Sequence, residues 1–423
     1  MLDQPEQSLP KQNPRWSDLK AAYGLFAQSA VTFEAVAEPH WRHTRRALRG
    51  RCLLLSDTMD VDHFSHPATT GLGQLGKGDG RGMQLHSCLA YNCDEEQILG
   101  TGGALLHYRQ KVPKNETRTQ RLNRIRESEL WGALVEQVGP PPKDCQLIHV
   151  FDRGGDNFEA MCRIRLLGCD WIIRAAKLNR NVIDENGEIV SLEQAFEEAS
   201  TLGSYKLHLR SRVGVKARTA NIEVSVVTVT FPCPRHHSTW VKQCGVSELT
   251  MNVVLVQEVN APSGATPIRW VLLTSLPVDS FEEAWQVIED YERRWLIEEY
   301  HKALKTGCSV EQHALRTADR LEPLIGLISV IGTRLLQLKL IGRSQPDAKA
   351  ATHVPAAWLK CLKLVQPKLK ITDMSVYDFF RELAKLGGFL ARKGDGEPGW
   401  QTVWHGYKKL LSLLEGLRLA GAI

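Results

Sequence analysis

RCLLLSD (residues 51–57) and CQLIHVFD (145–152) decide the fold. Each is a short apolar run that stops on an aspartate, and such runs read as buried β-strands. Working outward, GMQLHSCLAYN (82–92) and ILGTGGALLHYRQ (98–110) read as two further strands that form a meander with the first. ESELWGALVEQVG (127–139) and NFEAMCRIRLLG (157–168) carry helical spacing, and DWIIRAA (170–176) reads as a fifth strand. Three strands followed by helix, strand, helix, strand give an α/β core. Both Asp57 and Asp152 are expected at C-terminal strand ends, where open α/β sheets place their chemistry.

Residues 180–275 change character. KLHLRSR, IEVSVVTVTF, LTMNVVLVQEV and IRWVLLTSL are β-rich and read as an insertion into the core. FEEAWQVIEDYERRWLIEEYHKALKTG (281–307) then reads as one long helix ended by Gly307. The core with its insertion thus spans 51–316. Residues 1–14, polar and holding Pro5, Pro10 and Pro14, read as a disordered tail; 15–50 read as helical, as do most of 317–423. In that last region Trp400, Trp404, Tyr407, Leu411 and Leu414 form a stripe. It suits either packing inside the chain or a dimer seam.

The chain has 423 residues, 43% hydrophobic and 24% charged, as in ordinary globular proteins. Its net charge of +5 barely favours a nucleic-acid partner. Two local runs say more: WRHTRRALRGR (41–51) holds five arginines and no acid, and RQKVPKNETRTQRLNRIR (109–126) holds seven Lys or Arg against Glu116. Both suit phosphate contacts, with a solvated basic surface as the plainer reading. Ten cysteines lack a C-x-x-C pair, and no signal peptide is evident, so reduced thiols in the cytoplasm are expected. Cys233, His236, His237 and Cys244 fit no standard zinc spacing and read as loop residues. The most apolar run, Leu324 to Gly332, is followed closely by Arg334 and reads as too short to cross a membrane.

On an ideal helix turning about 100° per residue, Arg294, Glu298 and Lys305 fall roughly −60°, −20° and −40° from Tyr291. These four therefore share one stripe, opposite Leu296, Ile297, Tyr300, Ala303 and Leu304. A carboxylate flanked by Arg, Lys and Tyr suits a cation and phosphate oxygens; it equally suits a solvated face of helical ion pairs.

The spacing Y-x2-R-x3-E-x6-K, filled by Tyr291, Arg294, Glu298 and Lys305, resembles the signature of the insertion-sequence-four family of DDE transposases. YERRWLIEEYHKALKTG resembles the family around it, LSDT resembles its first catalytic Asp motif at Asp57, and FDRGGD resembles its second at Asp152. The resemblance runs from about residue 16 to the C-terminus. It implies a ribonuclease H-like core in which Asp57, Asp152 and Glu298 hold two divalent cations, Mg2+ or Mn2+. Two such ions suit cleavage of transposon ends and strand transfer alike, because only the nucleophile changes. It further implies that Tyr291, Arg294 and Lys305 hold phosphates, that Arg174 contacts DNA, and that Trp270 and Trp295 face DNA bases. Arg174 in a strand-end salt bridge and Trp270 in the insertion core are the plainer alternatives. Asp60, Asp62 and Asp156 are expected to play supporting or surface roles. Implied partners are double-stranded DNA, both transposon ends and target, and a second copy of the chain, with no membrane. The family carries more chain before the segment matching RWSDLKAAYGLF, so end recognition is expected to be weakened. A truncated, catalytically inefficient regulatory homologue is the alternative function.

Overall fold

The computed structural model describes residues 7–421 except 77, 111, 113–114, 118–119, 121–125, 212–215, 236 and 393. Its architecture is mixed α/β, built on one large mixed sheet. The first strands are β1 (Gly50–Asp62), the short β2 (Gly73–Gln74), β3 (Arg81–Asn92), β4 (Gln97–His107), β5 (Cys145–Phe151) and β6 (Asp170–Arg174). β1 pairs parallel with β5 from Gly50↔Cys145 to Ser56↔Phe151, and antiparallel with β3 from Cys52↔Asn92 to Asp62↔Gly82.

Asp57 is therefore not at a strand end. β3 keeps β1 extended to Asp62, beyond the point where β5 stops. What ends beside Asp57 is the parallel ladder, so the expected place is right for Asp152 and needs correction for Asp57.

The β-rich segment, read as an insertion into the core, joins the core sheet itself. It supplies β7 (Asn181–Ile183), β8 (Ile189–Ser191), β9 (Ser200–Leu209), β10 (Arg218–Pro232), β11 (Glu248–Val259) and β12 (Arg269–Thr274). β12 pairs antiparallel with β6 through Leu272↔Arg174 and Thr274↔Ile172, and β11 and β10 follow, so these strands extend the core sheet. Pairing satisfies the backbone groups that β6 would otherwise leave open.

Alternation along β1 sends Leu53 and Leu55 into one hydrophobic core and Cys52 and Leu54 into another. The second core is closed by the helices Glu127–Val138 and Phe158–Leu166, the first by helices from both ends of the chain. At the N-terminus the tail reading fails for its described part: Leu9–Gln12 is a helical turn whose Leu9 is buried. Residues 1–6 lie outside the described residues. The helices Trp16–Leu25 and Phe33–Arg46 follow, as expected for 15–50.

Of the arginines of 41–51, Arg45 and Arg51 are largely covered by the fold, while Arg42, Arg46 and Arg49 remain exposed. Arg45 pairs with Glu38 and donates to the Gly102 carbonyl of β4 at 2.9 Å; Arg42 pairs with Glu38, Arg49 with Glu95 and Arg51 with Asp290. Arg45 thus covers the β4 edge and Arg51 clamps a helix, whereas the exposed pairs of Arg42 and Arg49 leave those side chains at the surface. The second basic run lies mostly outside the described residues; its Arg109 pairs with Glu127 and its Arg126 with Glu129. Cys233 and Cys244 lie at the end of β10 and on the helix Thr239–Cys244, while His236 lies outside the described residues.

The single long helix over 281–307 is three pieces: Phe281–Glu292, Trp295–Lys302 and a π-helical turn Ala303–Gly307. The first begins in a capping box between Ser280 and Glu283. The break falls at Arg293 and Arg294, where Arg294 N bonds Tyr291 O and Ile297 N bonds Arg294 O, each three residues back. Their guanidiniums diverge there, Arg293 lying over the Tyr91 ring and Arg294 reaching Asp57.

The C-terminal region is helical, led by Ala318–Ser344. An 18-residue window within its stretch Ala318–Gly342 has mean hydropathy 1.7, so the helix around the short run Leu324–Gly332 is long and apolar enough to cross a membrane by length and composition alone. Much of it is covered by the protein: Leu321, Leu324, Ile325 and Ile328 are buried, and the helix packs on Phe33–Arg46 and β4. Trp404, Tyr407, Leu411 and Leu414 of the helix Trp400–Leu419 are likewise buried within the chain, Tyr407 against Trp358. That favours intramolecular packing for those positions; the Trp400 side chain lies outside the described residues.

Asp290 is fully buried and receives both terminal nitrogens of Arg51, with Gln286 Nε2 at 3.1 Å. This pair ties β1 to the Phe281–Glu292 helix. Asp290→Ala is expected to lower the unfolding free energy by roughly 3 kcal/mol, because it strands a half-buried guanidinium. Urea unfolding measures it. Adding Arg51→Met should recover more than half of the loss; equal stability of both variants would show that the stranded charge is not the cause.

Candidate active site

The geometry begins with the β1–β5 ladder. Ser56↔Phe151 is its last pair, so Asp57 and Asp152 leave it side by side. Side chains repeat with a period of two. Leu53 and Leu55 of β1, and Ile148 and Val150 of β5, point to the core that contains Ile297 and Leu304, and Asp57 and Asp152 continue those two series. Both carboxylates therefore face the Trp295–Lys302 helix. Asp152 also caps the turn Arg153–Gly155, accepting from Gly154 N at 2.7 Å. That turn needs its two glycines: a Cβ on Gly154 would lie 2.9 Å from Trp131 and one on Gly155 2.5 Å from Phe151.

Glu298 comes from the other side. Arg294 Nη1 donates to Asp57 Oδ2 at 3.0 Å and Arg294 Nη2 to Glu298 Oε1 at 3.3 Å, so one guanidinium holds both carboxylates. Ligand atoms of Asp57, Glu298 and His301 all lie within 4.8 Å of one another. Ligands on opposite sides of one ion with bonds of about 2.1 Å are roughly 4.2 Å apart, so this set fits a divalent cation after a small closure. Asp152 lines the same open cleft, about 880 Å³, with Asp57, Glu298, His301, Lys302 and Lys305.

The electrostatics follow from crowding. Burial, then the neighbouring Asp152 charge, push the Asp57 carboxyl up to about 6; Thr58 N and Arg294 oppose the rise and Glu298 adds to it. Burial pushes the imidazoles of His301 and His86 down to about 3, so both are neutral. His86 Nδ1 lies 2.8 Å from Thr58 Oγ1.

Other expected residues are placed as follows. Trp295 is 61% exposed and lines the cleft. Lys305 lines it too, paired with Glu311 at 3.0 Å. Tyr291 is buried, edge-on to Trp270 at 5.4 Å, with Arg174 beside its hydroxyl. Trp270 is only partly buried. Arg174 Nη2 lies 3.4 Å from Arg269 O, a different contact from the strand-end salt bridge weighed above. Asp60 lines the cleft and accepts from Gln84; Asp62 caps the Phe64 amide. Asp156 is half-buried with its side chain covered; it pairs with Arg180 and accepts from Ala176 N at 2.6 Å, latching the turn after β5 to the end of β6.

Sequence reasoning missed His301, Lys302, Gln84 and Trp131 in the cleft, and His86 buried behind Trp131. The spacing Glu298-x-x-His301 was a usable signal, because residues three apart share a helix face.

A carboxyl whose folded value lies above its usual 3.8 stabilises the fold while protonated and loses that contribution as pH rises through 6. Between about pH 4 and 6 the native state holds more protons than the unfolded chain, so stability falls with rising pH. Asp57→Asn should therefore raise the unfolding free energy of metal-free protein at pH 7.5 by roughly 1–3 kcal/mol. The gain should shrink toward pH 4. Urea titrations in chelator across this range read it; parallel curves for wild type and variant would contradict it.

The remaining finding concerns the helical C-terminus, whose packing against the catalytic helix is direct: a Cβ on Gly307 would lie 3.2 Å from Trp404. Residues 330–423 match the family model of the transposase Tn5 dimerisation domain, which supports a transposase of that type and homodimer formation.

Proposed function

We propose that this chain is a DDE transposase of the insertion-sequence-four type, cleaving transposon ends and joining them to target DNA by cut-and-paste. The observation that carries the reading is the meeting of Asp57 and Glu298, with Asp152 beside them, in one cleft. The three come from separate parts of the chain in the order the sequence signature requires. The match over residues 330–423 adds independent support. The sheet order supports a ribonuclease H-like core: β4-β3-β1-β5-β6, antiparallel across the first three and parallel from β1 to β6. A regulatory homologue that only dimerises is less favoured, since that role needs no acidic cleft.

In this reading Asp57, Asp152 and Glu298 hold Mg2+ or Mn2+. Two such cations supply Lewis-acid activation of a water or 3′-hydroxyl and stabilise the leaving oxygen. Arg294, relieved of neutralising Asp57 and Glu298, turns to a phosphate of the bound DNA. Exposed Lys302 and Lys305 at the rim draw the backbone in. Trp295 offers an indole face to an unstacked base. The partners are double-stranded DNA and a second copy of the chain, in the bacterial cytoplasm.

Glu298→Gln should abolish cleavage of terminal-repeat DNA in Mg2+, by about 10³-fold or more, while binding changes less than threefold. Gel shift and strand-cleavage assays on the same preparation separate the two. Cleavage within tenfold of wild type would sink the reading. A paired Lys302→Ala and Lys305→Ala variant should instead weaken DNA binding and flatten its salt dependence by about two phosphate contacts. An unchanged slope of log K against log salt would remove these lysines from the DNA path.

A further inference from the structure

We infer that His301 supplies a nitrogen ligand to the cation held by Asp57 and Glu298, making this centre favour Mn2+ over Mg2+. The inference rests on the metal-dependent reading above and assigns a ligand that the three-carboxylate signature does not contain.

Three observations carry it. Glu298 and His301 are three residues apart on the Trp295–Lys302 helix, which puts both on one face, toward β1. A ring nitrogen of His301 lies within 4.8 Å of carboxylate oxygens of both Asp57 and Glu298. His301 is 7% exposed, yet its Nε2 is buried without a hydrogen-bond partner. A buried donor or acceptor left unsatisfied costs about 1–3 kcal/mol, so its retention calls for a reason.

Burial alone would not carry the point. His149 is as deeply buried and both its ring nitrogens lack partners, but it packs with Phe151 and does not line the cleft. Among the described residues, His301 is the histidine grouped with two carboxylates in this way.

The chemistry sets the preference. Mg2+ is held by oxygen and keeps its waters, whereas imidazole nitrogen suits the later first-row metals and raises affinity for Mn2+ relative to Mg2+. Asp152 stands outside the grouped set but beside Asp57, so it offers oxygens to a second, all-oxygen position.

The test is pulsed electron paramagnetic resonance on full-length, metal-free protein titrated with Mn2+ alone. A 14N coupling of directly bound imidazole is expected, changing to the 15N pattern when histidine is 15N-labelled. His301→Gln should lose that coupling and weaken Mn2+ binding by roughly tenfold or more, with a smaller change in the concentration of Mg2+ that competes. His301→Asn serves as the second variant, and thermal melts report folding of each. Mn2+ bound to wild type without nitrogen coupling, and lost in Asp57→Asn with Glu298→Gln, overturns the ligand assignment and leaves the metal-dependent function standing. Coupling that persists in a folded His301 variant also overturns it. Absence of Mn2+ binding overturns the function and this inference together. If neither variant folds, the labelled wild type still decides, because no 15N change excludes any histidine.

Discussion

The parallel ladder between β1 and β5 is the constraint on which the rest depends. By ending at Ser56↔Phe151 it releases two aspartates side by side on the face that meets the Trp295–Lys302 helix. Adjacent carboxylates repel, and at a partly buried site little water intervenes. The fold answers with Arg294, which donates to Asp57 and Glu298 together. Positions of helix and sheet are thus coupled through charge as well as packing, and any divalent cation entering the cleft competes with a guanidinium already in place.

That coupling would be loose without support behind it. Arg51 lies on the same face of β1 as Asp57 and clamps Asp290, one turn before Arg294. Behind the Trp295–Lys302 helix, Ile297, Tyr300, Ala303 and Leu304 are fully buried. A Cβ on Gly332 would lie 2.4 Å from Leu304, and Gly307 abuts the Trp404 ring. The surfaces of the C-terminal helices that touch the catalytic helix therefore have little room to change shape. Residues in the segment matching a dimerisation family and residues in the acidic cleft sit on two sides of one packed layer.

Elements with one strong period were legible in the sequence. The apolar runs of β1 and β5, the meander of β3 and β4, and the helices after each were read from local pattern alone. What sequence could not give was pairing. The end of β1 depends on β3, and the merger of the β-rich segment into the core sheet depends on β12 finding β6; neither leaves a local trace. The helix interruption was missed for a related reason: Arg293 and Arg294 are good helix formers, and the break reflects partners distant in sequence. In the site, Asp57, Asp152, Glu298 and Trp295 were found through spacing and resemblance. His301 falls on the same stripe, roughly −80° from Tyr291 on an ideal helix, but the three-carboxylate signature contains no histidine.

Charge bookkeeping by sequence runs also needed the fold. Arginines 42, 45, 49 and 51 look alike in one dimension, but the fold covers Arg45 at the edge of β4 and Arg51 against Asp290 and leaves Arg42 and Arg49 exposed in surface pairs. Lys305, marked by the signature, and Lys302, unremarkable in a helix with nearby acids, both end at the mouth of the acidic cleft. A cation's effect falls off within about 10 Å at moderate salt. Position relative to the cleft therefore outweighs the count of basic residues in the chain. The net charge of +5 says little about the cleft, because the lysines at its mouth are few, local and placed by the segment between Trp295 and Gly307. The π-helical turn strengthens the point: Cys308 N bonds Ala303 O, five residues back, which shifts Lys305 off the ideal helical stripe and toward Glu311. Such widened turns recur at functional sites because they re-aim one side chain without breaking the helix. Here the one re-aimed is a lysine at the edge of the three carboxylates.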